Sequence, residues 1–137
     1  MRVAPVSQIA RSQLLAMALR VTEPKGAVLF RRDEPAFGVF LVRKGSISLR
    51  LESGEGKVLW DRTVTRDSIV GLPATVAGGR YSLTAVTLEE SEVAFVGRQA
   101  LIQLLKDDPS IGLELMRALG EEVLQTRALL ASTPAVV

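Results

Sequence analysis

Residues 46–51 read Ser-Ile-Ser-Leu-Arg-Leu, and this strict alternation of polar and apolar side chains decides the fold class. A period of two is typical of a β-strand with one buried and one solvated face. A turn sequence, Ser-Gly-Glu-Gly at 53–56, separates this segment from Lys-Val-Leu-Trp at 57–60. The two segments are therefore predicted to pair as a β-hairpin at the centre of the chain.

Other short apolar segments surround the hairpin and extend the β prediction from residue 26 to residue 97. They lie at 27–30, 39–42, 68–70, 82–87 and 92–96. Turn residues separate them, and no helix-length pattern lies between most of them. This spacing favours a sandwich or barrel over a parallel sheet with crossover helices.

Helical patterns flank the predicted strands. Apolar residues at helical spacing predict an N-terminal helix over 5–20. A second helix is predicted from Gln99 to Lys106, ended by Asp-Asp-Pro at 107–109, and a longer one follows Ser110 as N-cap. We expect one domain over 1–131, with C-terminal helices over 98–131 and a frayed tail over 132–137.

The long C-terminal helix carries a stripe with alternating spacings of three and four residues: Met116, Leu119, Val123, Thr126 and Leu130. This spacing is typical of a two-stranded coiled-coil seam and predicts a homodimer. The same stripe would also suit a helix that packs on its own domain, and the pattern alone leaves both arrangements open.

The composition argues against catalysis. The chain of 137 residues has 17 basic and 15 acidic side chains, and it contains neither Cys nor His. This removes thiol and His-based catalysis, iron–sulfur clusters, His-ligated haem and ordinary zinc sites. We therefore expect no enzyme activity, no metal and no cofactor. The only N-terminal apolar run, 14–19, is too short for a signal peptide or a membrane span, so a cytoplasmic protein is expected.

The stretch 67–82, Asp-Ser-Ile-Val-Gly-Leu-Pro-Ala-Thr-Val-Ala-Gly-Gly-Arg-Tyr-Ser, interrupts the strands. Gly71 permits a tight turn, and Pro73 suits the first turn of a short helix. The unpaired N–H groups of a helix start form an anion site, and Arg80 would be able to pair with the same anion. The alternative interpretation is a connecting turn with a solvated Arg80.

The order of these elements, with Gly26, Gly71, the Arg-Lys-Gly at 43–45 and the Asp-Pro at 108–109, resembles the sensor domain of the CRP/FNR regulators. The resemblance covers about residues 5 to 130. It implies a jelly-roll-like double-stranded β-roll with a short inserted helix after Gly71 and a long C-terminal helix. It also implies a ligand site in a phosphate-binding cassette, residues 71–82, with one position on the long helix. The site residues are Gly71, Leu72, Pro73, Ala74, Thr75, Arg80, Tyr81, Ser82 and Thr126.

Two departures from the family pattern weaken the implied site. Relatives that bind cyclic AMP or cyclic GMP place a Glu for the ribose hydroxyl at the position of Leu72, and their phosphate-pairing Arg aligns with Tyr81. Arg80 comes one residue early, on the opposite face of a strand. The two losses together are expected to reduce affinity by about a hundredfold to several thousandfold, which leaves at most weak binding of cyclic AMP or cyclic GMP. Thr126 stands where relatives place a hydroxyl that reaches the purine, although a small polar residue is also tolerated within a coiled-coil seam.

The resemblance implies a stand-alone, non-catalytic regulatory module in which a small-molecule effector biases the long helix and a partner protein reads that state. The first alternative is a ligand-free interaction scaffold whose pocket is filled by Leu72 and Tyr81. The second is the sensor part of a longer transcription regulator. No helix-turn-helix pattern follows the long helix, so direct DNA binding is not expected. An open, polar pocket over 71–74 would favour the effector, and a collapsed apolar one the scaffold.

Overall fold

A computed structural model describes residues 8–117 of the chain. The described helices are α1 (Gln8–Ala16), α2 (Leu72–Ala77), α3 (Arg98–Asp107) and α4, which begins at 109 and is described to 117. The strands are β1 (Leu19–Glu23), β2 (Val28–Phe30), β3 (Gly38–Lys44), β4 (Ile47–Glu52), β5 (Val58–Val64), β6 (Ile69–Val70), β7 (Thr84–Thr87) and β8 (Ser91–Gly97). The predicted mainly β fold with an inserted helix after Gly71 is confirmed.

The strands form two four-stranded antiparallel sheets. One sheet has the order β1-β8-β3-β6, and the other has the order β2-β7-β4-β5. The predicted hairpin is β4–β5, in which Leu49 lies opposite Arg62 and Leu51 opposite Trp60. Alternation therefore directs Leu49 into the space between the sheets, where it is buried.

Strand β3 is buried on both faces and divides the apolar core into two clusters. Val39 and Leu41 belong to the helix-side cluster, in which the first sheet packs against the helices. Phe40 and Val42 belong to the inter-sheet cluster, between the two sheets. A strand that is covered on both faces has a continuous run of apolar residues in its sequence, and residues 39–42 form such a run.

The predicted N-terminal helix over 5–20 is wrong at its C-terminal end. Helix α1 ends at Ala16, and the chain then forms strand β1, in which Leu19 lies opposite Phe95 of β8. Hydrogen bonds to β8 override the local helical spacing, since β1 completes the edge of the first sheet. Residues 5–7 lie outside the described part of the chain.

The C-terminal helices begin where the sequence predicts, but the N-cap of the second one differs. Asp108, not Ser110, caps α4: its Oδ1 accepts hydrogen bonds from the Ser110 hydroxyl at 2.6 Å and from the backbone N–H groups of Ser110 and Ile111. These bonds, led by that of the hydroxyl, lower the pKa of Asp108 below its usual value. Pro109 occupies the first helical position, where its missing N–H costs nothing.

Only the first residue of the predicted seam falls within the described residues. Met116 is 67% exposed on α4, whereas Leu115 beside it is buried. Leu119, Val123, Thr126, Leu130 and the predicted tail 132–137 lie outside the described range. Between residues 8 and 117, no helix combines the length and the apolar character needed to cross a bilayer.

Candidate functional site

Helix α2 is a six-residue insert held between two glycines. Gly71, at the N-cap, has φ of 86° and Gly78, at the C-cap, has φ of 70°, both in the left-handed region that glycine tolerates best. Pro73 lies in the first turn, as predicted. A Cβ atom at Gly71 would lie 3.0 Å from Cε1 of Tyr81, so the backbone at position 71 is also covered by an aromatic ring.

Tyr81, which the sequence resemblance aligns with the family's phosphate-pairing Arg, is buried inside the roll. Its ring stacks on Phe30 with centroids 3.9 Å apart and an angle of 16° between the planes. Its hydroxyl donates to the Gly38 carbonyl oxygen at 2.6 Å and accepts from the N–H groups of Phe37 and Gly38, each at 3.2 Å. Burial raises the pKa of Tyr81 above its usual value, because loss of hydration disfavours the phenolate more than these hydrogen bonds favour it.

The Tyr81 ring belongs to a cluster that contains every Phe and the only Tyr of the chain. Phe37 stands edge-on to Tyr81 at 5.4 Å, and Phe95 packs against Phe37 and Phe40 at 5.8 and 5.1 Å. Offset and edge-on aromatic pairs of this kind contribute about 0.5–1.5 kcal/mol each beyond area burial. The cluster therefore holds Tyr81 in a packed core position.

Thr75 ties α2 to strand β3 from inside. Its side chain is fully buried, and its Oγ1 lies 2.9 Å from the Gly38 carbonyl oxygen and 2.7 Å from that of Gly71. The Gly38 carbonyl oxygen thus accepts from the Tyr81 hydroxyl and shares the single proton of the Thr75 hydroxyl with the Gly71 carbonyl oxygen. Thr75, predicted as a ligand-binding residue, uses its hydroxyl within the protein.

The cavity beside α2 is small and mostly apolar. Its volume is about 40 Å³, and its walls include the predicted residues Gly71, Pro73, Ala74, Tyr81 and Ser82 together with Phe30 and Leu49. Pockets that hold drug-sized ligands measure about 300–1,000 Å³. A cavity of this size has room for a few water molecules and not for a nucleotide.

Leu72 does not face this cavity, and the expectation that it fills the pocket is wrong. Its side chain is buried in the helix-side cluster with Ile69 and Leu101. Helix α2 lies between the two clusters, so Ala74 borders the inter-sheet cluster while Leu72 and Val76 turn to the other side. Residues four apart share one face of a helix, which explains why Leu72 and Val76 go together.

Arg80 points away from the cavity. Its side chain is exposed, and its Nη1 donates to the Asp33 carbonyl oxygen at 2.7 Å. The backbone around it pairs with the loop before β3, through a bridge between Pro35 and Arg80. Alternation along this extended segment places Arg80 outside and Tyr81 inside. Thr126, the remaining predicted ligand residue, lies outside the described residues.

Arg98 is a site residue that the sequence analysis missed. Its Nε donates to the Thr75 carbonyl oxygen near the end of α2 at 2.9 Å, and its backbone N–H donates to the Phe37 carbonyl oxygen at 3.0 Å. An Arg at the start of a predicted helix carries no signal of such contacts, since both partners are backbone atoms distant in sequence. Across the described part of the chain, no group of three or more potential ligands is placed to hold a metal ion.

Residues 20–108 match the family model described as "Cyclic nucleotide-binding domain". The chain belongs to the cyclic nucleotide-binding domain family. Its resemblance to the sensor domain of the CRP/FNR regulators is thereby confirmed at the level of the family. The match covers every strand of the two sheets except the first residue of β1, together with α2 and α3.

Comparison with individual proteins places this family member beside bacterial regulators. It is 28% identical over 117 residues to the transcriptional regulatory protein btr of Bordetella pertussis, covering 85% of this chain and 48% of that protein. The chain therefore spans about half the length of this curated relative.

Solved structures share the fold at low sequence identity. The catabolite activator protein of Thermus thermophilus superposes with a TM-score of 0.76 at 20% identity, covering 91% of this chain and 59% of that one. The global regulator CLP of Xanthomonas campestris, described as c-di-GMP responsive, also has a TM-score of 0.76, at 21% identity, covering 96% of this chain and 66% of that one.

Proposed function

We propose that this chain is a non-catalytic regulatory domain whose phosphate-binding cassette has lost cyclic-nucleotide binding and whose output is its C-terminal helices. One observation carries the proposal. The Tyr81 ring, which the family resemblance aligns with the phosphate-pairing Arg, is stacked on Phe30 and lines a cavity of only about 40 Å³.

Charge supports the same proposal. A cyclic phosphate carries a negative charge, and burying it requires a charged or well-placed polar partner. Residues 71–79 contain no charged side chain, and the guanidinium of Arg80 is directed at Asp33. An anion in the cavity would therefore face mostly apolar walls.

The contacts of α2 support an output through the helices. Arg98, the first residue of α3, bonds to the end of α2, and Leu72 of α2 packs in the same cluster as Leu101 of α3 and Ile111 of α4. A displacement of α2 would therefore move the starts of both C-terminal helices.

Thermal unfolding in the presence of nucleotides tests the lost binding. Any compound that binds the folded state raises the melting temperature by mass action. With cyclic AMP, cyclic GMP, cyclic di-GMP and the linear mononucleotides at about millimolar concentration we expect no shift. A clear shift at micromolar cyclic nucleotide would contradict the proposal. If that shift also disappeared in Arg80→Ala, Arg80 would be the phosphate ligand after all.

We include a homodimer in the proposal. Leu113 and Met116, three residues apart on α4, are 53% and 67% exposed, and the sequence continues their spacing beyond residue 117. Light scattering should give a dimer mass that falls to the monomer mass in Met116→Glu but not in Gln103→Glu, at an exposed position of α3. A monomeric wild type at micromolar concentration would contradict the dimer.

A ligand-free interaction scaffold is the second candidate, and the small apolar cavity favours it. The two candidates differ in whether residues 71–83 change on addition of a compound. Under the first, an effector other than a cyclic nucleotide alters hydrogen exchange in this segment. Under the second, only a partner protein does so, at the helices. The similarity to a transcriptional regulator about twice as long also supports a sensor role within a larger regulator.

A further inference from the structure

The phenol of Tyr81 has specific partners for both its hydroxyl and its ring. We propose that Tyr81 is an internal ligand of the roll: its side chain takes the place of a cyclic nucleotide in the pocket and latches α2 and the start of α3 to strand β3. The inference rests on the proposed loss of cyclic-nucleotide binding and names what replaces the nucleotide.

The hydroxyl of Tyr81 is fully satisfied by one stretch of backbone. A phenolic hydroxyl donates one hydrogen bond and accepts up to two. Here the donor bonds to Gly38 O at 2.6 Å, and the acceptor sites receive the N–H groups of Phe37 and Gly38. Aliphatic side chains of similar volume supply none of these bonds.

The ring is enclosed as specifically as the hydroxyl. Phe30 covers one face with ring centroids 3.9 Å apart, and Phe37 makes an edge-to-face contact with centroids 5.4 Å apart. Gly71 lies against the ring with no room for a Cβ atom without displacement. The site therefore selects a flat aromatic group that carries one hydroxyl.

The same backbone stretch begins α3. The Phe37 N–H donates to the Tyr81 hydroxyl, while the Phe37 carbonyl oxygen accepts from the Arg98 N–H at 3.0 Å. Arg98 also bonds to Thr75 of α2, whose own hydroxyl reaches Gly38. The phenol, α2 and the first residue of α3 are thus joined through residues 37–38, in an arrangement that requires no cyclic nucleotide.

Removal of the side chain and rescue by free phenol test the internal ligand. Tyr81→Ala should lower the melting temperature by roughly 10 °C, since it leaves an aromatic-sized void. Phenol at about 10 mM should raise the melting temperature of Tyr81→Ala by several degrees, and toluene should raise it less. Neither compound should raise the melting temperature of the wild type, whose site already holds the Tyr81 ring. A folded Tyr81→Ala that phenol and toluene stabilise equally, or not at all, would overturn the inference.

A second variant tests the latch even if Tyr81→Ala fails to fold. Tyr81→Phe keeps the ring and removes the hydroxyl, so amide hydrogen exchange of residues 37–38 and of Arg98 should accelerate at least severalfold. Thr63→Val, which alters an exposed hydroxyl on β5, should leave these amides unchanged. Unchanged protection in Tyr81→Phe would refute the latch. Neither experiment involves cyclic nucleotides, so a failure of the latch can be distinguished from a failure of the proposed loss of nucleotide binding.

Discussion

The Arg98 guanidinium joins α3 to α2: its Nε donates a hydrogen bond of 2.9 Å to the carbonyl oxygen of Thr75. The positive charge of Arg98 near the C-terminal end of α2 interacts favourably with the negative end of the helix dipole. The same Thr75 carbonyl oxygen accepts from the Gly78 N–H at 3.3 Å, so Arg98 adds a second hydrogen bond at the C-cap of the helix. The insert is therefore stabilised from α3 rather than by its own length.

Arg98→Ala should lower the free energy of unfolding by about 1–2 kcal/mol, the range for a charge-assisted hydrogen bond to a partly buried carbonyl. Urea denaturation measures the change. Gln99→Ala, at an exposed position one residue later, is the control and should stay within about 0.5 kcal/mol of wild type. Equal stability of the two variants would show that the Arg98 contact contributes nothing.

Gly71→Ala should destabilise the domain by about 1–2 kcal/mol or more. The left-handed φ of 86° costs an L-residue free energy, and the added Cβ would press on the Tyr81 ring. Gly54→Ala is the matched substitution, because a Cβ at that position meets nothing within 4 Å. Thermal unfolding of both variants compares them, and a loss of stability in Gly54→Ala as large as in Gly71→Ala would contradict this explanation.

Leu72→Ala should lower the free energy of unfolding by about 2–5 kcal/mol, as expected when a buried Leu leaves a cavity. The control is Leu59→Ala, since Leu59 on β5 is 60% exposed whereas Leu72 is 1% exposed. That control should lose well under about 1 kcal/mol in the same urea titration. A small effect at Leu72 would mean that its side chain lines the pocket rather than the core.

Stability should fall at high pH because of Tyr81. Its pKa is raised in the folded state, mainly by burial, so the folded protein holds the phenolic proton to higher pH than the unfolded chain does. This contribution is complete below the unfolded pKa of about 10 and is lost as the pH rises through the folded pKa. Urea midpoints of wild type and Tyr81→Phe between pH 8 and 11 should therefore converge as the pH rises; parallel profiles would refute the assignment.

The strands were largely predictable, because their side chains either alternate between polar and apolar or form short apolar runs. Such runs are typical of buried strands and are shorter than most helices. The hairpin β4–β5 and the helices α2 and α3 fall at the predicted places. Strand β1 was not predictable in the same way. Its residues Leu19 and Arg20 extend a helical pattern, and the strand forms because β8 offers an unpaired edge.

The site was predicted as a set of residues and not as an arrangement. The sequence places Gly71, Leu72 and Tyr81 in one cassette, yet Leu72 belongs to the helix-side cluster and Tyr81 to the inter-sheet cluster. The orientation of α2 between the first sheet and the helices determines which of its faces packs in the helix-side cluster and which in the inter-sheet cluster. That relation involves residues far apart in the chain.

By itself, the sequence determined the mainly β class, the glycine-bounded insert and the absence of Cys and His chemistry, since alternation, turn residues and composition are local properties. The β-roll was implied by the resemblance to the CRP/FNR sensor domain. Tertiary structure alone decided that Tyr81 is buried against Phe30 and that Arg98 bonds to α2. Both residues form hydrogen bonds with backbone atoms of residues 37, 38 and 75. Because nearly every residue type has the same backbone groups, the sequence does not reveal which residues supply these partners.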